Sequence, residues 1–357
     1  MKKSILKYFK AFTLIGVVAS FIALSSCGSD DDAGPTLTVW GTLEADASLS
    51  LLKGEFEAFA DIEATLSDED ATLTVFAPTN AALNTLLGTL GLEDFSSVNG
   101  DIARAVLEYH IVTSGQLASS ALTDGSTTTT EQGEAITVTD GKLVTGATSD
   151  AEFVTTDIQT TNGVIHIVDV VLVPPTIGAQ IVATLGTLAQ PVALGADFTT
   201  LYSAILKADA AATDPTTTIM AALINADTTL TCFFPTNATF AGADPVITVD
   251  TYDAATWNAI IKNHIVSKQG GATDESVEEA DMITGFTATS GIGVSLFFVN
   301  TGSATNVPGG PGIYIDSDGD FDAQTGAGLN GEVALIDAAT AQNGRIHAIA
   351  GVLSPPQ

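Results

Sequence analysis

The sequence predicts an α+β protein made of two tandem copies of one unit. Three observations carry that expectation. Three segments recur in the same order at nearly constant offset, short β-prone runs alternate with stretches of helical spacing, and the length suits about two domains, each with its own core.

The chain opens with Lys2, Lys3, Lys7 and Lys10 ahead of an apolar run from Ala11 to Leu24, the pattern of an export signal rather than a permanent span. The run ends in Leu24-Ser25-Ser26-Cys27, which resembles a lipobox. Residues 1–26 are therefore expected to be a lipoprotein signal peptide and Cys27 the lipid attachment site. Residues 27–36 form an acidic tether, and Asp30-Asp31-Asp32 resembles the surface-export signal of some bacterial lipoproteins. The expectation is an outer-membrane lipoprotein exposed at the surface, the alternative being one that faces the periplasm.

Removing four leader lysines leaves seven of the eleven basic residues against 42 acidic ones, a net charge of −35. Such a chain repels phosphate backbones and has no material for a basic face, which excludes nucleic-acid binding. Its membrane contact is expected through the anchor alone. Beyond Cys27 the only other cysteine is Cys232, inside the apolar stretch Leu230 to Phe234, which reads as a buried thiol.

In the first copy, Leu73 to Phe76 is a β-prone run stopped by Pro78, and Thr79 or Asn80 can cap a helix beginning near Ala81. Asp101 to His110 carries Ile102, Val106 and Tyr109 at helical spacing. Ala135 to Thr145 alternates around Asp140-Gly141, a hairpin turn. Val164 to Val173 reads as a central strand buried on both faces, entered through Asn162-Gly163 and ended by Pro174-Pro175.

Each of these blocks returns. Thr74–Leu83 matches Thr231–Phe240, Tyr109–Val112 matches Asn263–Val266, and Asn162–Val168 matches Asn343–Ile349. The offsets, taken at Pro78, His110 and His166, are 157, 154 and 181, so the second copy holds an insertion of about 27 residues near 300–331.

The Phe-Ala-Pro-Thr-Asn block, the Tyr109-His110 pair and the closing Asn-Gly-Val-Ile-His-Ile-Val block resemble the hallmark segments of the fasciclin (FAS1) family. That resemblance implies two domains, 37–175 and 176–357, each a β-sandwich wedge with several packed α-helices. It also implies a role in adhesion or matrix contact, with Tyr109, His110 and His264 as candidate binding residues. The second copy departs at Phe234 for Ala77, Asn263 for Tyr109 and Ala350 for Asp169.

The four histidines, His110, His166, His264 and His347, all fall in the repeated blocks, where hydrogen-bonded core positions are favoured over metal ligands or general bases. No nucleophile elbow, phosphate loop or His-Glu-x-x-His is present, and no catalytic residue is assigned. Gly326 to Gly331 fits a dinucleotide pattern but follows an acidic loop and leads into a β-prone run, so it reads as loop. Asp316, Asp318, Asp320 and Asp322 alternate as calcium ligands do, yet Phe321 and Ala327 stand where an EF-hand needs glycine and glutamate. A weak calcium site and a solvated acidic turn both remain open there; no cofactor is required. Trp40 and Trp257 offer little as a sugar platform, and Trp257 reads as core.

The expected function is non-catalytic adhesion or binding of a matrix or cell-surface protein or a polysaccharide. The alternatives are a structural envelope or matrix component and an accessory polysaccharide-binding protein.

Overall fold

The β-prone run at Leu73 becomes a six-residue strand, β1 (Leu73–Pro78), in a computed structural model that describes residues 34–146, 150–243, 245–268, 287–290, 295–300, 313–316, 331–342 and 344–353. Among the described residues three α-helices precede it, α1 (Val39–Ala45), α2 (Ser50–Glu57) and α3 (Ala60–Ser67). After it come α4 (Asn80–Leu90), α5 (Gly100–Tyr109), β2 (Ile111–Val112), β3 (Thr127–Thr129), β4 (Ala135–Thr139), β5 (Lys142–Val144), β6 (Phe153–Thr160) and β7 (Gly163–Val168). The α+β class is as expected, with several helices around small sheets.

The strands form one sheet in the order β2-β1-β7-β6 and a second, β3-β4-β5. Central β1 and β7 run parallel and are buried along their whole length. The reason is that the first sheet has two covered faces. Leu73, Val75, Ala77, Ile165 and Ile167 point into a core shared with the helices, whereas Phe76 and Val168 point the other way, against Ile136, Val138 and Leu143 of the small sheet. Alternate side chains of one strand thus serve two cores. The Asp140-Gly141 hairpin forms as read, with φ of 51° and 75° at the two turn residues.

Of the two candidate caps the structure uses Thr79, whose Oγ1 accepts the Ala82 N–H, while Asn80 reaches away to α2. One reading is corrected. The closing strand ends at Val168 rather than Val173. Asp169 N–H still donates to Glu152 O, but the Leu172 N–H bonds a side chain instead of a neighbouring strand, so Val171 to Val173 are buried outside the sheet.

Pro175 opens the next helix, α6 (Pro175–Thr184), where its missing N–H removes no hydrogen bond. The second copy continues through α7 (Ala189–Leu194), α8 (Thr199–Asp209), α9 (Ile219–Ile224), β8 (Leu230–Pro235), α10 (Asn237–Gly242), α11 (Ala254–Asn263) and β9 (Ile265–Lys268). Then follow β10 (Thr287–Ser290), β11 (Ser295–Asn300), β12 (Ile313–Asp316), β13 (Gly331–Ala341) and β14 (Gly344–Ile349). Here β8 and β14 repeat the parallel pairing of β1 and β7. The four-residue β9 pairs with both β8 and β10, and the seven strands close into a barrel.

Chain from the second copy also completes the first. Ala193 and Leu194 of α7 lie in the first core, Asn99 N–H donates to Leu194 O at 2.6 Å, and Gln190 Nε2 donates to Leu90 O at 2.8 Å.

Candidate functional site

The repeated residues converge on the ends of the two central strands. His110 follows α5, and its ring is almost wholly buried. Nδ1–H donates to Val106 O at 2.7 Å, and Nε2 accepts the Leu172 N–H at 2.9 Å, a pairing that fixes the neutral tautomer. Its carbonyl accepts the Phe76 N–H at 2.9 Å. One residue therefore joins α5, β1 and the segment after β7. Burial pushes its pKa down to about 4, against a smaller opposing effect of the Val106 bond.

His264 repeats every contact. Nδ1–H donates to Ile260 O at 2.8 Å, Nε2 accepts Leu353 N–H at 2.9 Å, and its carbonyl accepts the Phe233 N–H at 2.8 Å. Burial again lowers the pKa to about 4.

Tyr109 is buried, and its hydroxyl donates to Ala135 O at 2.7 Å, tying α5 to the small sheet. Burial, and secondarily the charge of Glu134, pushes the phenol up to about 12. Asn263, also buried, takes its place in the second copy. Tyr109, His110 and His264 are thus interior, and any influence on a partner passes through the backbone they hold.

His166 stacks on Phe76 at 5.7 Å, and His347 stacks on Phe233 at 5.1 Å. His166 Nε2–H donates to Leu117 O at 2.8 Å and Nδ1 accepts the Asp157 N–H at 3.3 Å; burial lowers its pKa. Asp157, at φ 61°, in turn accepts the Ser119 N–H at 2.7 Å and the Ser119 hydroxyl.

Asparagine supplies pins that residue spacing alone did not single out. Asn162 Oδ1 accepts Val39 N–H at 2.7 Å while Nδ2 donates to Leu66 O and Asp68 O. Asn80 accepts from Leu51 and donates to Ala47 O and Ser50; Asn237 does the same with Thr200, Ala196 O and Thr199. The recurrence of asparagine in the matched blocks was the available signal.

Cys232 faces the helical core of the second copy, and burial raises its thiol pKa. Trp257 is buried between the edges of Phe240 and Tyr252, with Nε1 donating to Val249 O at 2.9 Å. Trp40 packs against the first core with Lys53 Nζ 5.1 Å from its ring centre.

Cys27, Asp318, Asp320, Asp322 and Gly326 to Asn330 lie outside the described residues, and of Asp316 only the backbone, at the end of β12, is described. Among the described residues no group of three or more His, Cys, Asp or Glu side chains could hold a metal ion, and no helix is long and apolar enough to cross a membrane.

The chain also presents two related apolar grooves. One, of about 310 Å³, lies between α4 and α6; the other, of about 580 Å³, lies beside α10 and the segment after β14.

Comparison with known proteins finds a family model that matches most of the first copy. Residues 52–174 match the model of the fasciclin domain. Protein sll1483 of Synechocystis sp. is 35% identical over 118 residues, 32% of this chain and 62% of that protein's length. A solved FAS1 domain pair from the insect cell adhesion molecule Fasciclin I aligns with 85% of this chain and 96% of its own at a TM-score of 0.34 and 17% identity.

Proposed function

Because residues 52–174 are a fasciclin domain and the second copy repeats its pins, we propose that the chain is a non-catalytic binding module for adhesion, held at the outer cell surface by a lipid on Cys27. One observation carries the non-catalytic reading. His110 and His264 are neutral, buried and engaged through both ring nitrogens, so the residues that recur act as internal braces instead of proton carriers. The buried Cys232, its thiolate disfavoured, makes a poor nucleophile.

The anchor reading draws on the charged leader, the apolar run and the Leu24 to Cys27 site in that order, and on a polyacidic body with no attraction of its own for anionic lipid. The partner class is a matrix or cell-surface protein or a polysaccharide. The test compares adhesion of cells that carry the gene, lack it, or carry a secreted form without Cys27, on surfaces coated with matrix proteins and cell-wall polymers. Adhesion is expected only with the anchored form. Equal adhesion by cells lacking the gene, on every surface, overturns the reading.

A further inference from the structure

The two grooves are the same place in the two copies. At the repeat offset of 157, Ala82, Thr85 and Leu86 of the first correspond to Thr239, Gly242 and Ala243 of the second; at 181, Asp169 to Val171 correspond to Ala350 to Val352. In the first copy α6 and its C-cap supply one wall through Gly178, Ile181 and Leu185, with Val182 at the rim 72% exposed. In the second, all lining residues come from that copy itself, and the groove is nearly twice as large.

We propose that the groove beside α10 docks an amphipathic helix of a partner protein, with a small-and-aliphatic face flanked by basic residues. The internal precedent defines the face. Gly178 and Ile181 stand at i and i+3 on one face of the helix, and Leu185, its C-cap, extends the same stripe to i+7, with glycine giving the smallest side chain in it. The floor fits such a face. Ala350 and Gly351 leave room for close approach, while Ile247, Ile349 and Val352 offer aliphatic contact. The two floor hydroxyls are engaged, Thr236 accepting the Thr239 N–H and Thr239 donating to Ile349 O at 2.7 Å, so the floor favours apolar contact over new hydrogen bonds.

Charge supplies the second argument. Asp169, an exposed carboxylate in the first groove, is Ala350 in the second, which removes the charge from the floor. Acids remain beside it. Exposed Asp250 and Asp253 bracket Tyr252 of the lining, with Lys207 Nζ 3.4 Å from Asp250 as one cation against two carboxylates, and the whole chain carries −31. An apolar floor with an acidic surround selects an apolar stripe with basic neighbours.

This inference rests on the reading of the chain as a binding module and adds its partner's chemistry. The probe is a labelled peptide of residues 174–186 with two lysines added at each end, titrated into the full chain at low salt. Binding is expected, at least tenfold weaker for the same peptide flanked by glutamates, and lost for a peptide with aspartate at the Ile181 position. A Cβ at Gly242 would meet nothing within 4 Å, so Gly242→Trp should fold with unchanged Tm while filling the groove. Gly242→Trp should weaken binding at least tenfold, and Thr85→Trp, its counterpart in the first copy, should not. No binding at millimolar peptide, equal affinity for Gly242→Trp, or equal affinity for lysine and glutamate peptides overturns the proposal. Cells still adhering with the Gly242→Trp protein would discard the groove as the adhesion site and leave the adhesion reading intact.

Discussion

The imidazole of His110 accepts the backbone N–H of Leu172 at 2.9 Å across 62 positions of sequence, and His264 holds Leu353 in the same way in the second copy. A ring nitrogen here does what a neighbouring strand would otherwise do. It satisfies an amide that has left the sheet and cannot reach water. His110→Ala is expected to leave the Leu172 N–H and Val106 region without this partner and to cost ~1–3 kcal/mol, before any cavity effect. Urea denaturation measures it. An unchanged midpoint together with lost adhesion would move His110 from brace to binding residue.

Acid should loosen the protein through the same two rings. His110 and His264 have pKa values of about 4 when folded, below the ordinary 6.5. As pH falls below 6.5 the unfolded chain takes up protons that the folded chain refuses, so stability is fully present above 6.5 and declines toward 4. Each ring contributes roughly 3 kcal/mol to that decline by pH 4. Asp94, Asp157 and Asp253, held below the ordinary carboxylate range by hydrogen bonds, lose their contribution only at lower pH. Stability measured between pH 7.5 and 4.5 should fall steeply, and the slope should flatten in the His110→Gln/His264→Gln double variant. An identical slope in that variant assigns the acid sensitivity elsewhere.

Local order was legible in the sequence because local forces set it. The Asp140-Gly141 turn, the strand at Leu73, the helix ending at Tyr109 and the buried Trp257 all follow from patterning within about ten residues. What escaped was set by remote partners. Nothing near Val171 shows that Leu172 will bond His110, so a continuous β-branched run reads as strand to Val173 although the ladder stops at Val168. Asn162 reads as a turn residue, yet its amide joins α1 and α3 across 123 and 96 positions. The grooves are further still from view, because they exist only where α4 or α10 meets the segment after the last strand.

Cys27→Ala is expected to shift the protein from the membrane fraction to the soluble fraction while the domains stay folded. Buried acyl chain contributes ~0.8 kcal/mol per CH₂, and no basic patch exists among the described residues to hold the body against lipid headgroups. Fractionation with and without detergent reads the outcome. A substituted protein that still needs detergent for extraction sinks the lipoprotein reading.

Two glycines open the closing strands for a steric reason, and a third offers the contrast. A Cβ on Gly163 would lie 2.6 Å from Leu73 O, and one on Gly344 would lie 1.8 Å from Leu230 O, at a φ of 139° that L side chains rarely adopt. In both copies the entry to the last strand passes directly over the first residue of its parallel partner, which only a hydrogen side chain permits. Gly54, by contrast, is exposed inside α2 with nothing within 4 Å of an added Cβ. Gly54→Ala should therefore stabilise by roughly 0.5–1 kcal/mol, through lower chain entropy in the unfolded state. Gly163→Ala should cost on the order of 1–3 kcal/mol, and Gly344→Ala more than Gly163→Ala because strain in φ adds to the overlap. Thermal unfolding of the three variants orders them. If Gly344→Ala proves no more costly than Gly163→Ala, the entry to β14 has room that its close approach to Leu230 denies.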